Sequence, residues 1–553
     1  MGAGYRSAVA GLEPGVVLAV DGPAAVDWDL AVSEICDALA ARELAAKQLD
    51  LREHFAAWPD ILALTSSAQL DDDPDFAPLS RADLADFFAA LPEPKPKPEA
   101  ASGAVTVVFG PGAALIEHHL LWYADLPKRY AEAAITAGTG RNLGQPAGTG
   151  AGTARRLFYL DWPILDRHRD GIIADIDLWL DTQDPRSPAW LEGDVLRASL
   201  AALAVQPFRT RPTFNTTSWG GHWAQRRLGF NPGAANTALG YELIAPESGI
   251  LLGDADGPRV EIPLQVLVAL HPEQVLGKAV YMMFGTSFPI RFDYLDTVGG
   301  GNLSVHCHPQ SDYMRRVFGW PYTQHETYYM MVGGVGRQVF LGLRQDADLE
   351  AFRRAADRAV REGVPFDIER YVQSFPAEAH QLFLIPAGTP HASGEGNVVL
   401  EISATPYLYS LRFYDWLRKD GAGRQRPVHV EHAFANLDPT RSGDAVAREL
   451  VQRPRTVREG EGWREQVIGG LPEMFFEVRR VDLATDAAVG DGTDGRFHVL
   501  NVVDGDGVLL ETESGYRCVL AYAETLTVPG SVGGYRVRAL GSSPVRYVKA
   551  LVR

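Results

Sequence analysis

The chain has 553 residues, 46% of them hydrophobic and 22% charged, the profile of a globular protein too long for one ordinary domain. A formal net charge of −18 argues against nucleic acid and membrane surfaces as partners, but not against an anionic small molecule in a local basic pocket. Three scattered cysteines (Cys36, Cys307, Cys518) form no disulfide framework, and no apolar run has the length of a leader or membrane span, so a cytoplasmic protein is expected.

Residues 1–207 read as alternating strand and helix. "GVVLAV" (Gly15–Val20) is a short apolar run, and "DWDLAVSEICDALAARELAAKQL" follows at helical spacing. "LPEPKPKPEAASG" (Leu91–Gly103) is Pro-rich and charged and reads as an extended surface connection. "AVTVVFGPGAAL" starts a further strand ending in a glycine turn, and "LLWYADLPKRYAEAAI" a strand followed by a helix. "RRLFYLDWPILDRHRDGIIADIDLWLDTQ" reads strand, helix, strand. Strands separated by helices predict a parallel α/β sheet. The turn after the first strand stands where a phosphate-binding loop would, but the pattern GxxxxGK[ST] is absent; Asp27 and Trp28 occupy that neighbourhood.

From about Arg211 the apolar runs become short and are broken by Gly, Pro and Asn. "VYMMFGTSFPIRFDYLDT", "LSVHCHP", "ETYYMMVGG", "RQVFLGL", "QLFLIPAG" and "VVLEIS" all read as strands, the pattern of a barrel or jelly roll. A helical insertion at about 345–376 ("DADLEAFRRAADRAVREG", then "FDIERYVQSF") interrupts it. A last β-rich block carries "FFEVRRVDL", "FHVLNVVDGDGVLLE", "ETLTVPGS" and "VRYVKALV". Three domains are expected: an α/β domain over 1–207 and two all-β jelly-roll barrels over 208–420 and 421–553.

In "LSVHCHP", His306 and His308 are two residues apart. On a strand they share a face, with Cys307 on the other side. Glu326 opens the strand "ETYYMMVGG", and His391 follows a Pro-Gly turn in "IPAGTPHA". Three imidazoles and a carboxylate would suit Zn²⁺, Fe²⁺ or Mn²⁺.

The order HxH, a strand-leading Glu with Gly333 seven residues on, then PxGxxH, resembles the two-part signature of the cupin barrel. The flanking segments resemble class I, zinc-dependent mannose-6-phosphate isomerases. "SWGGHW" (Ser218–Trp223), "FPIRFDYLDTVGGGNLSV", "LIPAGTPHA", "VVLEIS", "LRFYDWLR" and "RPVHVEHAF" all have counterparts there, and the C-terminal block resembles that family's second, metal-free cupin. The resemblance covers roughly 211–553. It implies metal ligands His306, His308, Glu326 and His391, an active-site glutamate at Glu401 and a catalytic arginine at Arg412. It also implies Zn²⁺ as cofactor, with Fe²⁺ or Mn²⁺ as alternatives, and a sugar phosphate as small-molecule substrate. The chain departs from the family in three places: His306 stands for a glutamine, Gln324 for a lysine, and "SATPYLYS" lacks the family's Ser-Asp pair. Arg418 and Lys419 read as solvated surface charge. "LLWYADLPKRY" and "YLDWPILDRHRD" resemble strand–helix units of nucleoside-kinase-type P-loop folds, which implies a degenerate P-loop kinase-like domain over 1–207.

The chemistry implied is aldose–ketose isomerisation between mannose 6-phosphate and fructose 6-phosphate through a cis-enediol, with Glu401 as the base or the group orienting it and Arg412 holding the enediolate or the sugar oxygens. A cupin metal oxidase or dioxygenase, favoured by His306, and a non-catalytic sugar-binding regulator, favoured by Gln324, are the alternatives.

Overall fold

A computed structural model describes residues 1–92, 103–253, 256–420 and 423–553. Most of the Pro-rich connection, 93–102, lies outside the described residues. The chain forms two compact units: Met1–Ala202 with Gly249–His271, and Leu203–Ser248 with Pro272–Arg553. No helix among the described residues is long and apolar enough to cross a membrane.

The first unit is built on a sheet containing strands β1 (Val17–Asp21), β2 (Ala45–Asp50), β3 (Ala104–Phe109), β4 (Leu120–Asp125), β5 (Leu178–Asp181) and β6 (Ala189–Glu192). Their order is β6-β5-β4-β1-β3-β2, with the two-residue strand Gly2–Ala3 outside β6. The first five in sequence run parallel, as the strand–helix alternation predicts, and β6 is antiparallel. Every residue of β1 is buried, as a central strand covered on both faces requires. The helix Trp28–Ala40 begins at Asp27, whose side chain accepts from Leu30 N, and sinks Trp28, Val32, Ile35 and Leu39 into one core with Leu18, Val20, Val105 and Val107.

Two segments differ from the sequence reading. The helix stops at Ala40, Glu43 turns the chain with φ 60°, and "AAKQLD" becomes the edge strand β2. Alanine and lysine favour helix, but at an exposed edge the parallel ladder to β3 decides the outcome. "RRLFYL" is helical rather than extended: Thr153 caps it by accepting from Arg156 N, and the helix runs on, with one wider turn at Leu157–Asp161, to Ile172. Leu157 and Trp162 pack there with Ala131.

Gly249–His271, which the sequence reading placed within 208–420, belongs to the first unit. Its hairpin carries Glu261, whose carboxylate accepts from Arg129 (2.8 and 2.7 Å) and whose amide donates to Asp181 (2.9 Å). Asp125, at the end of β4, is buried, and burial pushes its carboxyl up to about 8, against Arg169. The folded protein keeps a proton that the unfolded chain gives up near 3.8, so this group makes stability fall as pH rises from 3.8 to about 8. Asp125→Asn should flatten that part of the Tm–pH curve and raise Tm at pH 8. A Tm–pH curve unchanged by the substitution would contradict the assignment.

In the second unit, β7 (Thr213–Asn215), β8 (Leu239–Leu243), β9 (Ile290–Asp296), β10 (Val305–Cys307), β11 (Glu326–Val332), β12 (Gln338–Leu343), β13 (Val372–Pro376), β14 (Leu382–Ile385), β15 (His391–Ser393), β16 (Val398–Ala404) and β17 (Leu411–Tyr414) form two sheets. One is ordered β14-β11-β16-β9-β8-β7, the other β13-β12-β15-β10-β17. Residues 455–552 add a six-stranded and a four-stranded sheet. All the ladders are antiparallel. The two halves share polar contacts: Tyr294 donates its hydroxyl to Ala523 O (3.1 Å) and accepts from Asn501 (2.8 Å).

Two sequence readings need correction here too. "KAVYMMF" is a helix, Lys278–Phe284, bounded by Gly277 and Gly285 at positive φ, and it leaves Met282 and Met283 exposed. The second part of the insertion, "FDIERYVQSF", is one short turn and then the edge strand β13. The first part is the helix Leu349–Glu362, capped by Asp348 and ended by Gly363, with Phe352 stacked on Tyr371 and Phe413. Asp348→Ala removes the only side chain capping that helix start and should lower stability by about 1 kcal/mol in urea unfolding; no change would show the cap to be unimportant.

Candidate metal centre

The two sheets of residues 213–414 bring their polar interior residues to one place. From the five-stranded sheet come His306 on β10 and His391 on β15, directly opposite each other in register, with His308 just past the end of β10. From the six-stranded sheet come two cross-strand rows. Arg291, Ser403 and Glu326 lie side by side on β9, β16 and β11; the next inward row is Asp293, Glu401 and Tyr328. Residues two apart on a strand share a face, so the two rows stack on one face of that sheet.

His306, His308, Glu326 and His391 converge, each buried, with one ligand atom apiece and all four atoms within 4.8 Å of one another. Among the described residues this is the one such group. The imidazoles are held alike. Nδ1 of His306 donates to Ser304 O (2.8 Å), Nδ1 of His308 to Tyr409 O (3.3 Å) and Nδ1 of His391 to Thr389 O (2.9 Å). A carbonyl only accepts, so each Nδ1 carries a proton and Nε2 is the ring atom left to face the site. Burial, then the neighbouring imidazoles, hold His306 well below its ordinary pKa; burial lowers His308 as well, against the pull of Glu326. Burial opposes the charge of Glu326, but His391 and His308 outweigh it and hold its carboxylate well below the usual range. Glu326 Oε2 lies 2.6 Å from Nε2 of His308 and 3.1 Å from Nε2 of His391, and the latter atom is buried without a hydrogen-bond partner. Imidazole nitrogens and a carboxylate turned on one another in a dry interior fit a shared divalent cation. Cys307 faces away, with its thiol on Ala433 O, as the strand alternation predicts.

Glu401 adjoins this group. Its Oε1 accepts from Arg291 (2.6 Å), Ser403 (2.8 Å) and Gln324 (3.2 Å). Arg291 also holds Asp293 (3.0 and 3.2 Å), so one guanidinium serves two carboxylates. Burial pushes Glu401 well above the carboxylate range: Arg291 opposes this, while Asp293 and Glu326 add to it. Asp293 is pushed up to about 6 by burial, against Arg291. Gln324 leaves its Oε1 buried without a partner beside Glu401.

Arg412 lies on the strand next to that of His306. On β17 it is opposite His306 in register and half-buried, and its guanidinium donates to Pro427 O (3.1 Å). Arg418 is not a solvated charge: it is largely buried, paired with Asp415 (3.3 Å), and burial lowers it to about 10. Sequence reasoning missed Arg291 and Asp293. The signal was present in "IRFDYLD", where two charges fall on one face of a strand whose other face is Phe292 and Tyr294.

The second unit is therefore a mostly-β assembly of antiparallel sheets with a buried site compatible with a metal ion. Comparison with known proteins narrows the class. The chain is 26% identical over 235 residues to the mannose-6-phosphate isomerase of Streptococcus mutans serotype c, covering 42% of this chain and 67% of that protein. It is 23% identical over 339 residues to the probable mannose-6-phosphate isomerase GmuF of Bacillus subtilis, covering 59% and 97%. A crystal structure of mannose 6-phosphate isomerase from Bacillus subtilis superposes with a TM-score of 0.50 at 20% identity, covering 62% of this chain and 99% of that one, a likeness of fold. Curated relatives and solved structures to which this chain is similar are thus mannose-6-phosphate isomerases. Residues 4–205 match a family model described as a domain of unknown function, DUF8485.

Proposed function

We propose that the second unit is a metal-dependent aldose–ketose isomerase that interconverts mannose 6-phosphate and fructose 6-phosphate through a cis-enediol. The observation that carries this is the convergence of three buried imidazoles and a carboxylate, with the raised carboxyl of Glu401 beside them. His306, His308, Glu326 and His391 would hold the ion, with Zn²⁺ the first candidate and Fe²⁺ or Mn²⁺ the alternatives. A divalent ion there would supply Lewis acidity to the sugar carbonyl and its developing oxyanion. Glu401 takes the proton from one carbon and returns it to the next; burial raises its carboxyl, which makes it a stronger base than an ordinary carboxylate. Arg291 and Ser403 fix its orientation, and the open Oε1 of Gln324 accepts from a sugar hydroxyl. Arg412, across from His306, holds the sugar oxygens. Residues 208–248 with 272–420 are the catalytic barrel and 421–553 the metal-free one. The setting is cytoplasmic, which the three free thiols suit.

EDTA-treated protein should fail to convert mannose 6-phosphate, and zinc should restore conversion; absence of turnover in the zinc-restored wild type would defeat the proposal. His306, in place of a glutamine, supports the second reading, a redox-metal oxidase. Oxygen consumption by the Fe²⁺-loaded protein, without isomerisation, would favour it.

Residues 1–207 we infer to be a degenerate P-loop kinase-like domain that binds no nucleotide phosphate. Asp21, at the end of β1, accepts from the amides of Gly22, Gly112 and Ala114 and pairs with His168. The backbone donors a phosphate would need are already taken by a carboxylate, whose charge would also repel one.

A further inference from the structure

The geometry points to a second ligand site, at the polar end of the C-terminal barrel, that takes a monosaccharide or its phosphate ester; this does not rest on the isomerase reading. On six strands the inward-facing residues form an apolar row: Val481, Val489, Leu500, Leu510, Val537 and Tyr547 belong to one core. Two residues along each strand, on the same face, the row turns polar: Arg479, Asp491, His498, Thr512, Tyr535 and Lys549. All six line one cavity of about 1030 Å³.

This layer is costly to bury. Lys549 is 1% exposed, with its Nζ 3.0 Å from Glu465, itself fully buried, and bonded to Asp491. Arg458 bridges the same two carboxylates. Tyr535 joins His498 Nδ1 (2.8 Å) to Asp491 (3.3 Å), and Tyr547 has a buried hydroxyl without a partner. Apolar residues of similar volume would hold a barrel end as well or better, since buried ion pairs seldom stabilise relative to a hydrophobic core. Six polar side chains in one layer, opening on a cavity, instead form a built recognition surface.

The lining selects the ligand. Paired carboxylates and cations suit vicinal hydroxyls, each of which donates and accepts at once. Neutral His498, lowered to about 3 by burial and by Lys549, leaves its Nε2 for a further hydroxyl. Arg496 and Arg536, also in the wall, have no carboxylate in contact among the described residues, and can meet a phosphate ester. The cavity volume lies near the upper end of small-molecule sites, roughly 300–1,000 Å³.

The test is calorimetric titration of the full chain carrying His391→Ala, so that the first site is disabled, with mannose, mannose 6-phosphate and inorganic phosphate. Binding of mannose or its phosphate is expected, weakened about tenfold or more by Asp491→Asn. The mannose arm and the mannose 6-phosphate arm tell a free sugar from an ester. Arg536→Ala, at the exposed rim and not at risk of misfolding, should weaken the ester and spare the free sugar. In the wild type, hydrogen exchange over Ala488–Gly492 and Gly534–Leu540 should slow on adding the sugar that binds. Binding of neither sugar, or of inorganic phosphate as tightly as the ester without any mannose binding, overturns the proposal. So does sugar binding that Asp491→Asn leaves unchanged without slowed exchange in those two strands.

Discussion

His391→Ala should abolish both metal loading and the turnover it supports, a loss of more than about a hundredfold in kcat/KM. The ring is fully buried, its Nδ1 is fixed on Thr389 O, and its Nε2 has no other use than the shared site. Removing a residue that only orients a ligand costs about 10–100-fold in metal affinity, so removing a ligand should cost more. Stability gives an independent readout. An ion that binds only the folded state stabilises it by mass action, about 4 kcal/mol at a thousandfold excess over Kd. Zinc should therefore raise the Tm of the EDTA-treated wild type and leave that of the variant nearly unchanged. A variant that retains one equivalent of metal and the full Tm increase would remove His391 from the site.

Much of that cluster was legible in the sequence because strand geometry is local. HxH places His306 and His308 on one face with no knowledge of the partner strand, and "IPAGTPHA" marks a turn whose geometry needs few neighbours. The cross-strand rows were not legible. Nothing in "IRFDYLD" says which strand lies beside it, so the pairing of Asp293 with Glu401, and with it the buried Arg291 pair, appears only once the register is known. The same limit explains the edge strand β2. "AAKQLD" has weak intrinsic preference for strand, and what fixes it is a neighbour's free backbone edge. The hairpin at Gly249–His271 was assigned to the wrong unit for a related reason: an insertion that leaves one unit for another carries no mark in composition.

Arg291→Leu should be the most destabilising single change near the site, about 3–5 kcal/mol by urea unfolding of the EDTA-treated protein. The guanidinium is buried and neutralises Asp293 and Glu401 together, and neither carboxylate can reach water when it is lost. Asp293 is already pushed up to about 6 with the arginine in place. Without it, both acids must either take up a proton or remain as uncompensated charges in a dry interior. The cost therefore lies in the orphaned carboxylates rather than in a lost attraction. Arg291→Leu/Asp293→Leu should then recover part of the stability lost in the single variant, with a coupling of order 2–3 kcal/mol in a double-mutant cycle. Catalysis should not recover with it, because Glu401 would still lack the guanidinium that, with Ser403, orients it. If the single and double variants unfold alike, Arg291 does not hold this carboxylate pair. If the double variant isomerises at the wild-type rate, Arg291 has no part in positioning Glu401.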